Sequence, residues 1–78
     1  MESGLDSIRA GTRAVVMQIQ ANPVLTRRFC QIGIKPGTVV YCRYRSPSGR
    51  VVALEFRDTA IALHTKDLRR VRIACPGI

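Results

Sequence analysis

The side chains best suited to chemistry are few in this sequence and far apart. Three cysteines stand at Cys30, Cys42 and Cys75, and His64 is the single histidine. Structural zinc sites use closely spaced ligand pairs such as Cys-x-x-Cys. No such pair occurs here, so neither a metal site nor a cofactor is expected. Cys42 is expected to serve as a small core hydrophobe, and strand alternation puts His64 on an outer face. The five acids are Glu2, Asp6, Glu55, Asp58 and Asp67. They form no close pair in an acid–base setting, and there is no Ser-His-Asp order or phosphate loop. The chain is therefore expected to bind a partner and not to act as an enzyme.

Charge says which partners are attractive. Thirteen Lys and Arg oppose five Asp and Glu, for a net charge of +8. Such a surface draws polyanions, acidic protein faces or anionic lipid. Arg43, Arg45, Arg50, Arg69, Arg70 and Arg72, with Tyr41 as a stacking side chain, support one reading: a basic barrel that binds RNA or DNA.

The elements that must carry these residues follow from periodicity. Leu5 and Ile8, three apart, suit one helical turn in a lead-in that Gly11 ends. Thr12–Gln20 reads as a strand, with Ala14 and Val16 on one face and a β-bulge where Ile19 breaks the alternation. Asn22-Pro23 is a helix start, since Asn caps free N–H groups and Pro fits the first helical position. Leu25, Phe29 and Ile32 then form one apolar stripe, and Gly33 suits the left-handed residue that ends a helix. A helix over Pro23–Ile32 spans about 15 Å and cannot stand alone. It must pack on the barrel or cover its open end.

Lys35-Pro36-Gly37-Thr38 is a type II turn by composition. Thr38–Arg45 is the next strand, with Val40, Cys42 and Tyr44 expected on one face and Val39, Tyr41, Arg43 and Arg45 on the other. After the Ser46–Gly49 turn, Arg50–Arg57 alternates with Val52, Leu54 and Phe56 inward. Arg57-Asp58-Thr59 reads as a hairpin tip. Ala60–His64 is a strand with Ile61 and Leu63 inward, Thr65–Leu68 a helical turn, and Arg69–Ala74 the last strand. Residues 75–78 read as a tail.

Residues 1–78 form one all-β domain on this reading: a small barrel of about five strands with one short helix inserted after the first strand. Closure of this kind removes exposed sheet edges. No apolar run approaches the roughly 20 residues that span a bilayer. The acidic start lacks a basic-then-apolar signal, and an odd cysteine count does not suit a secreted domain of this size. A cytoplasmic protein is expected.

The turn residues and their neighbours form a recognisable pattern. Gly11-x-x-Ala14-x-Val16-x-x-Ile19 is followed by Arg28-Phe29-x-x-Ile32-Gly33-Ile34-x-Pro36-Gly37-x-Val39-Val40. Pro47-x-Gly49 and Ala60-Ile61-Ala62-Leu63 follow. The pattern resembles the FeoA family, small proteins of bacterial ferrous iron uptake whose domain also closes the C-terminus of iron-dependent repressors. The resemblance covers Leu5 to Ile73 and is most specific between Arg28 and Gly37. It implies an SH3-like barrel. It also implies an accessory role by protein contact with FeoB, a membrane iron transporter with a cytoplasmic GTPase domain, which would recruit the chain to the inner face of the membrane.

The helix and the turn after it make the expected contact surface. Arg27 and Gln31 point away from the apolar stripe, and Lys35 sits on the rigid turn. Ile34 is either an exposed apolar contact or core. Arg28 either steadies the helix on the barrel or, like Arg27, reaches a partner's GTP in trans. The partner-binding set is thus Arg27, Arg28, Gln31, Ile34 and Lys35. Self-association stays open, because the sequence does not set the oligomeric state.

Overall fold

Short runs of alternating apolar residues, broken by Gly and Pro, fold into a curled antiparallel sheet. The computed structural model describes residues 2–75. Its strands are β1 (Glu2–Gly4), β2 (Arg13–Ile19), β3 (Val39–Arg45), β4 (Val51–Phe56), β5 (Thr59–His64) and β6 (Val71–Ala74). A 3-10 turn (Leu5–Ser7) follows β1, helix α1 (Pro23–Ile32) joins β2 to β3, and helix α2 (Thr65–Leu68) joins β5 to β6. The strand order is β1-β6-β2-β3-β4-β5, all antiparallel. The inward side chains Leu5, Ala14, Val16, Val40, Val52, Leu54, Leu68, Val71 and Ile73 are fully buried.

The all-β plan with one inserted helix is present, and the structure adds a strand. β1 pairs with β6 from Glu2↔Ala74 to Gly4↔Arg72. Its sequence, Glu-Ser-Gly, has no apolar alternation, so only the tertiary pairing reveals it. Residues 76–78 of the expected tail lie outside the described residues.

Two bulges decide which side chains point inward. In β2 the register shifts between Val16 and Gln18. Met17 is thereby exposed, and Ile19 returns to pack against the core. In β3 the register shifts between Cys42 and Tyr44. Strict alternation therefore assigns the end of β3 to the wrong faces. Tyr44, expected inward with Cys42, is 55% exposed. Arg45, expected outward, pairs opposite the buried Val52 and turns inside. Its Nη1 donates to the carbonyl oxygens of Asp6 and Ile8, each at 2.8 Å. The inserted residue thus turns a surface arginine into a tie that holds the lead-in, with the buried Leu5 and Ile8, against the barrel.

The reversal after α1 is equally constrained. Gly33 has φ 106° and ends the helix in the left-handed region, its N–H pointing at the carbonyls of Phe29 and Cys30. A β-carbon at Gly33 would lie 3.0 Å from Phe56 Cε2. Thr38 N–H donates to Lys35 O at 3.0 Å, and Gly37 has φ 95°, closing the expected turn. Gly37 N–H then reaches Val16 O and Val16 N–H reaches Thr38 O, both at 2.8 Å, which fastens the turn to β2.

Two substitutions test these constraints. Arg45→Ala is expected to cost about 1.5–3 kcal/mol, the range for hydrogen bonds from a charged group, read as a lower denaturation midpoint. Gly33→Ala is expected to destabilise by more than about 1 kcal/mol, because backbone conformation and the Phe56 ring both resist a side chain there.

Candidate functional site

Helix α1 exists because both of its ends are specified. The Asn22 Oδ1 accepts from Leu25 N–H at 2.8 Å, and Pro23 occupies the first turn. Phe29 is buried, and Leu25 and Ile32 pack half-buried against the core beside Ile61 and Leu63. The apolar stripe therefore faces the sheet, as the spacing requires.

The opposite stripe lies at the same helical spacing. Val24, Arg27, Arg28 and Gln31 are exposed and share one face of the helix. With Pro23 they line a depression of about 300 Å³. Val24 is 67% exposed. It escaped the sequence reading, although its position three residues before Arg27 places it on that face. The helix carries no acid. Among the described residues, Arg27 and Arg28 have no ion pair, and the salt bridge present is Arg43–Glu55, at 3.4 Å between exposed side chains. Holding α1 to the barrel thus falls to the apolar stripe, and Arg28 is free to face solvent.

Lys35 is exposed on the following turn, beside the end of this stripe. Ile34 is not part of the surface. It is 0% exposed, and its N–H donates to Phe29 O at 2.8 Å. The left-handed Gly33 reverses the chain so that Ile34 enters the core. The five residues singled out in the sequence therefore separate into a surface set of four, Arg27, Arg28, Gln31 and Lys35, and one core residue.

A second groove, about 280 Å³, runs between α1 and β5, lined by Leu25, Arg28, Phe29, Gln31, Ile32, Ile61, Leu63 and Asp67. Arg28 and Gln31 belong to both depressions. Nothing in this part of the molecule gathers metal ligands: among the described residues, no three His, Cys, Asp or Glu side chains come together. Cys30 and Cys75 are exposed and unpaired, and Cys42 is buried. Burial pushes the Cys42 thiol above its ordinary pKa, against smaller opposing effects from its hydrogen bond to Tyr44 O, at 3.6 Å, and from the Arg45 charge. His64 is exposed. No helix among the described residues is long and apolar enough to cross a membrane.

Comparison with known proteins decides the family. The FeoA domain model matches residues 4–75. The chain belongs to the FeoA family. No curated protein matches it. Among solved structures, an FeoA-like protein from Clostridium acetobutylicum is 22% identical, with a TM-score of 0.86 over 95% of this chain and 86% of that one. FeoA from Stenotrophomonas maltophilia is 27% identical, with a TM-score of 0.78 over 91% of this chain and 88% of that one. That protein was solved with zinc and is described as a prokaryotic SH3-domain protein and a proposed activating factor of bacterial ferrous iron transport. A manganese-dependent transcriptional repressor is 18% identical, with a TM-score of 0.87 over 96% of this chain and 41% of that one. The SH3-like barrel expected from the sequence is the fold of this FeoA-family chain.

Thiol reactivity checks this placement of side chains. Under native conditions iodoacetamide should modify Cys30 and Cys75 rapidly, and Cys42 only on unfolding, as read by intact mass. The raised Cys42 pKa also sets a sign. The stability it contributes is present below the unfolded value of about 9 and is lost as pH rises through the folded pKa. The denaturation midpoint should therefore fall in that alkaline range, and less so in Cys42→Ala.

Proposed function

We propose that this chain is an accessory of ferrous iron uptake that works by docking on the cytoplasmic GTPase domain of a FeoB-like membrane transporter. Membership of the FeoA family supports the link to ferrous iron transport. The observation that carries the docking surface is the outer stripe of α1, where exposed Val24 stands among Arg27, Arg28 and Gln31, with Lys35 on the adjoining turn. An exposed apolar side chain flanked by arginines without partners suits the centre of a protein interface, where arginine is enriched. The unopposed positive charge selects an acidic face on the partner and speeds encounter.

The nucleic-acid reading has weaker support. Arg45 is turned inside onto backbone carbonyls and Arg43 is paired with Glu55, so two of the arginines it needs are engaged elsewhere.

Calorimetry with the purified GTPase domain at low salt tests the proposal. Arg27→Glu together with Arg28→Glu is expected to weaken binding at least tenfold, equivalent to about 1.4 kcal/mol or more, with an unchanged thermal midpoint. Binding by the unmodified chain should weaken as salt is added. No binding by the unmodified chain, or equal binding by the double variant, would contradict the proposal.

A further inference from the structure

The closure expected to remove sheet edges is incomplete: among the described residues β1 and β5, the ends of the strand order, do not pair, and one long edge stays open. Among the described residues β5 is hydrogen-bonded to β4 alone and lies at the end of the strand order, whereas the other edge, β1, is three residues long. Natural proteins blunt such edges with short strands, bulges, Pro or Lys. β5, Thr-Ala-Ile-Ala-Leu-His, has none of these over six residues, and its register with β4 is unbroken from Val51↔His64 to Phe56↔Thr59. The Arg57-Asp58 tip makes Phe56 and Thr59 the closing pair, so Thr59, Ile61 and Leu63 turn their backbone groups to β4. Ala60, Ala62 and His64 turn theirs outward. Ala60 and Ala62 are also exposed and small, which leaves the edge accessible.

Charge indicates the occupant. The chain carries +8, yet residues 57–67 hold Arg57 and Lys66 against Asp58 and Asp67 and are neutral. An acidic partner strand has no reason to prefer this edge over the basic stripe of α1. A second copy of the same strand does. Reversed about Ala62, the sequence complements itself. Ile61 meets Leu63 of the second copy, Ala62 meets Ala62, and Ala60 meets His64. The strand pairing ends there, because Thr65 begins helix α2 and Arg57-Asp58 form the hairpin tip. Ile61 and Leu63 line the groove against α1 and are only half-buried. Cross-strand apolar pairing would cover them further.

We propose that two copies of this chain associate by antiparallel pairing of their β5 edges about Ala62, joining the two sheets into one. The pairing uses a different strand from the α1 stripe, with Arg28 and Gln31 bordering the groove that Ile61 and Leu63 line, and it does not rest on the transporter reading. The net charge of each copy opposes association at long range, while the contact itself is neutral and apolar. Salt therefore strengthens this contact, opposite to its effect on docking at α1.

Sedimentation equilibrium of the full chain under reducing conditions tests the pairing. Weight-average mass should rise with concentration toward twice that of the chain. The rise should come at lower concentration when salt goes from about 0.01 M to about 0.15 M, which shortens the screening length from about 30 Å to about 8 Å. Ala62→Arg, which sets like charges against each other on the two-fold axis, should remain monomeric throughout, with an unchanged thermal midpoint in dilute solution. Ala62→Pro, which removes an outward N–H, should do the same, and Val24→Arg on α1 should still dimerise. A monomer at millimolar concentration at both salt levels would overturn the proposal. So would a dimer that persists in Ala62→Arg.

Discussion

The reversal between α1 and β3 is the constraint on which the rest of this small structure depends. A ten-residue helix has little stability of its own. It keeps its place because the left-handed Gly33 turns the chain sharply, Ile34 is driven into the core, and the next turn is bonded back to β2 through Gly37 and Thr38. These contacts fix the rotation of α1 about its own axis. Leu25, Phe29 and Ile32 are committed to the sheet, and Val24, Arg27, Arg28 and Gln31 are left facing outward. The same residues that stabilise the helix therefore decide which residues it displays.

A second tie acts at the other end of the barrel. The bulge in β3 turns Arg45 inward, where its guanidinium holds the carbonyls of Asp6 and Ile8. A chain of 78 residues has a small core. An ordered lead-in that buries Leu5 and Ile8 is a sizeable addition to it. The positive charge of the molecule is thus divided by function. Arg45 is structural, Arg43 is balanced by Glu55, and the arginines of α1 are left without partners among the described residues.

Much of this was legible in the sequence wherever one local rule acted alone. Asn22-Pro23 and Gly33 bound α1 because capping chemistry is local, and its observed limits are those expected. β4 follows its alternation without interruption. The rules failed where a tertiary contact intervened. β1 has no pattern of its own and exists through β6. The β3 bulge inserts a residue that no local signal marks, so Tyr44 and Arg45 exchange faces. Ile34 suits core and surface alike by residue type, and only the direction of the exit from Gly33 decides between them. Val24 was legible in principle, since it shares the helical face of Arg27 and Arg28. Its apolar type marks it as core by composition, and only the helical phase sets it outside the Leu25, Phe29 and Ile32 stripe.

The docking face proposed for this chain is the outer stripe of α1. The most direct measurement is a map of amide chemical shifts of the labelled chain as the transporter's GTPase domain is added. Changes are expected to concentrate at Val24, Arg27, Arg28, Gln31 and Lys35, with the outer sheet residues Tyr41, Ala53 and Ala60 unmoved. Changes centred on the sheet, with α1 silent, would contradict it.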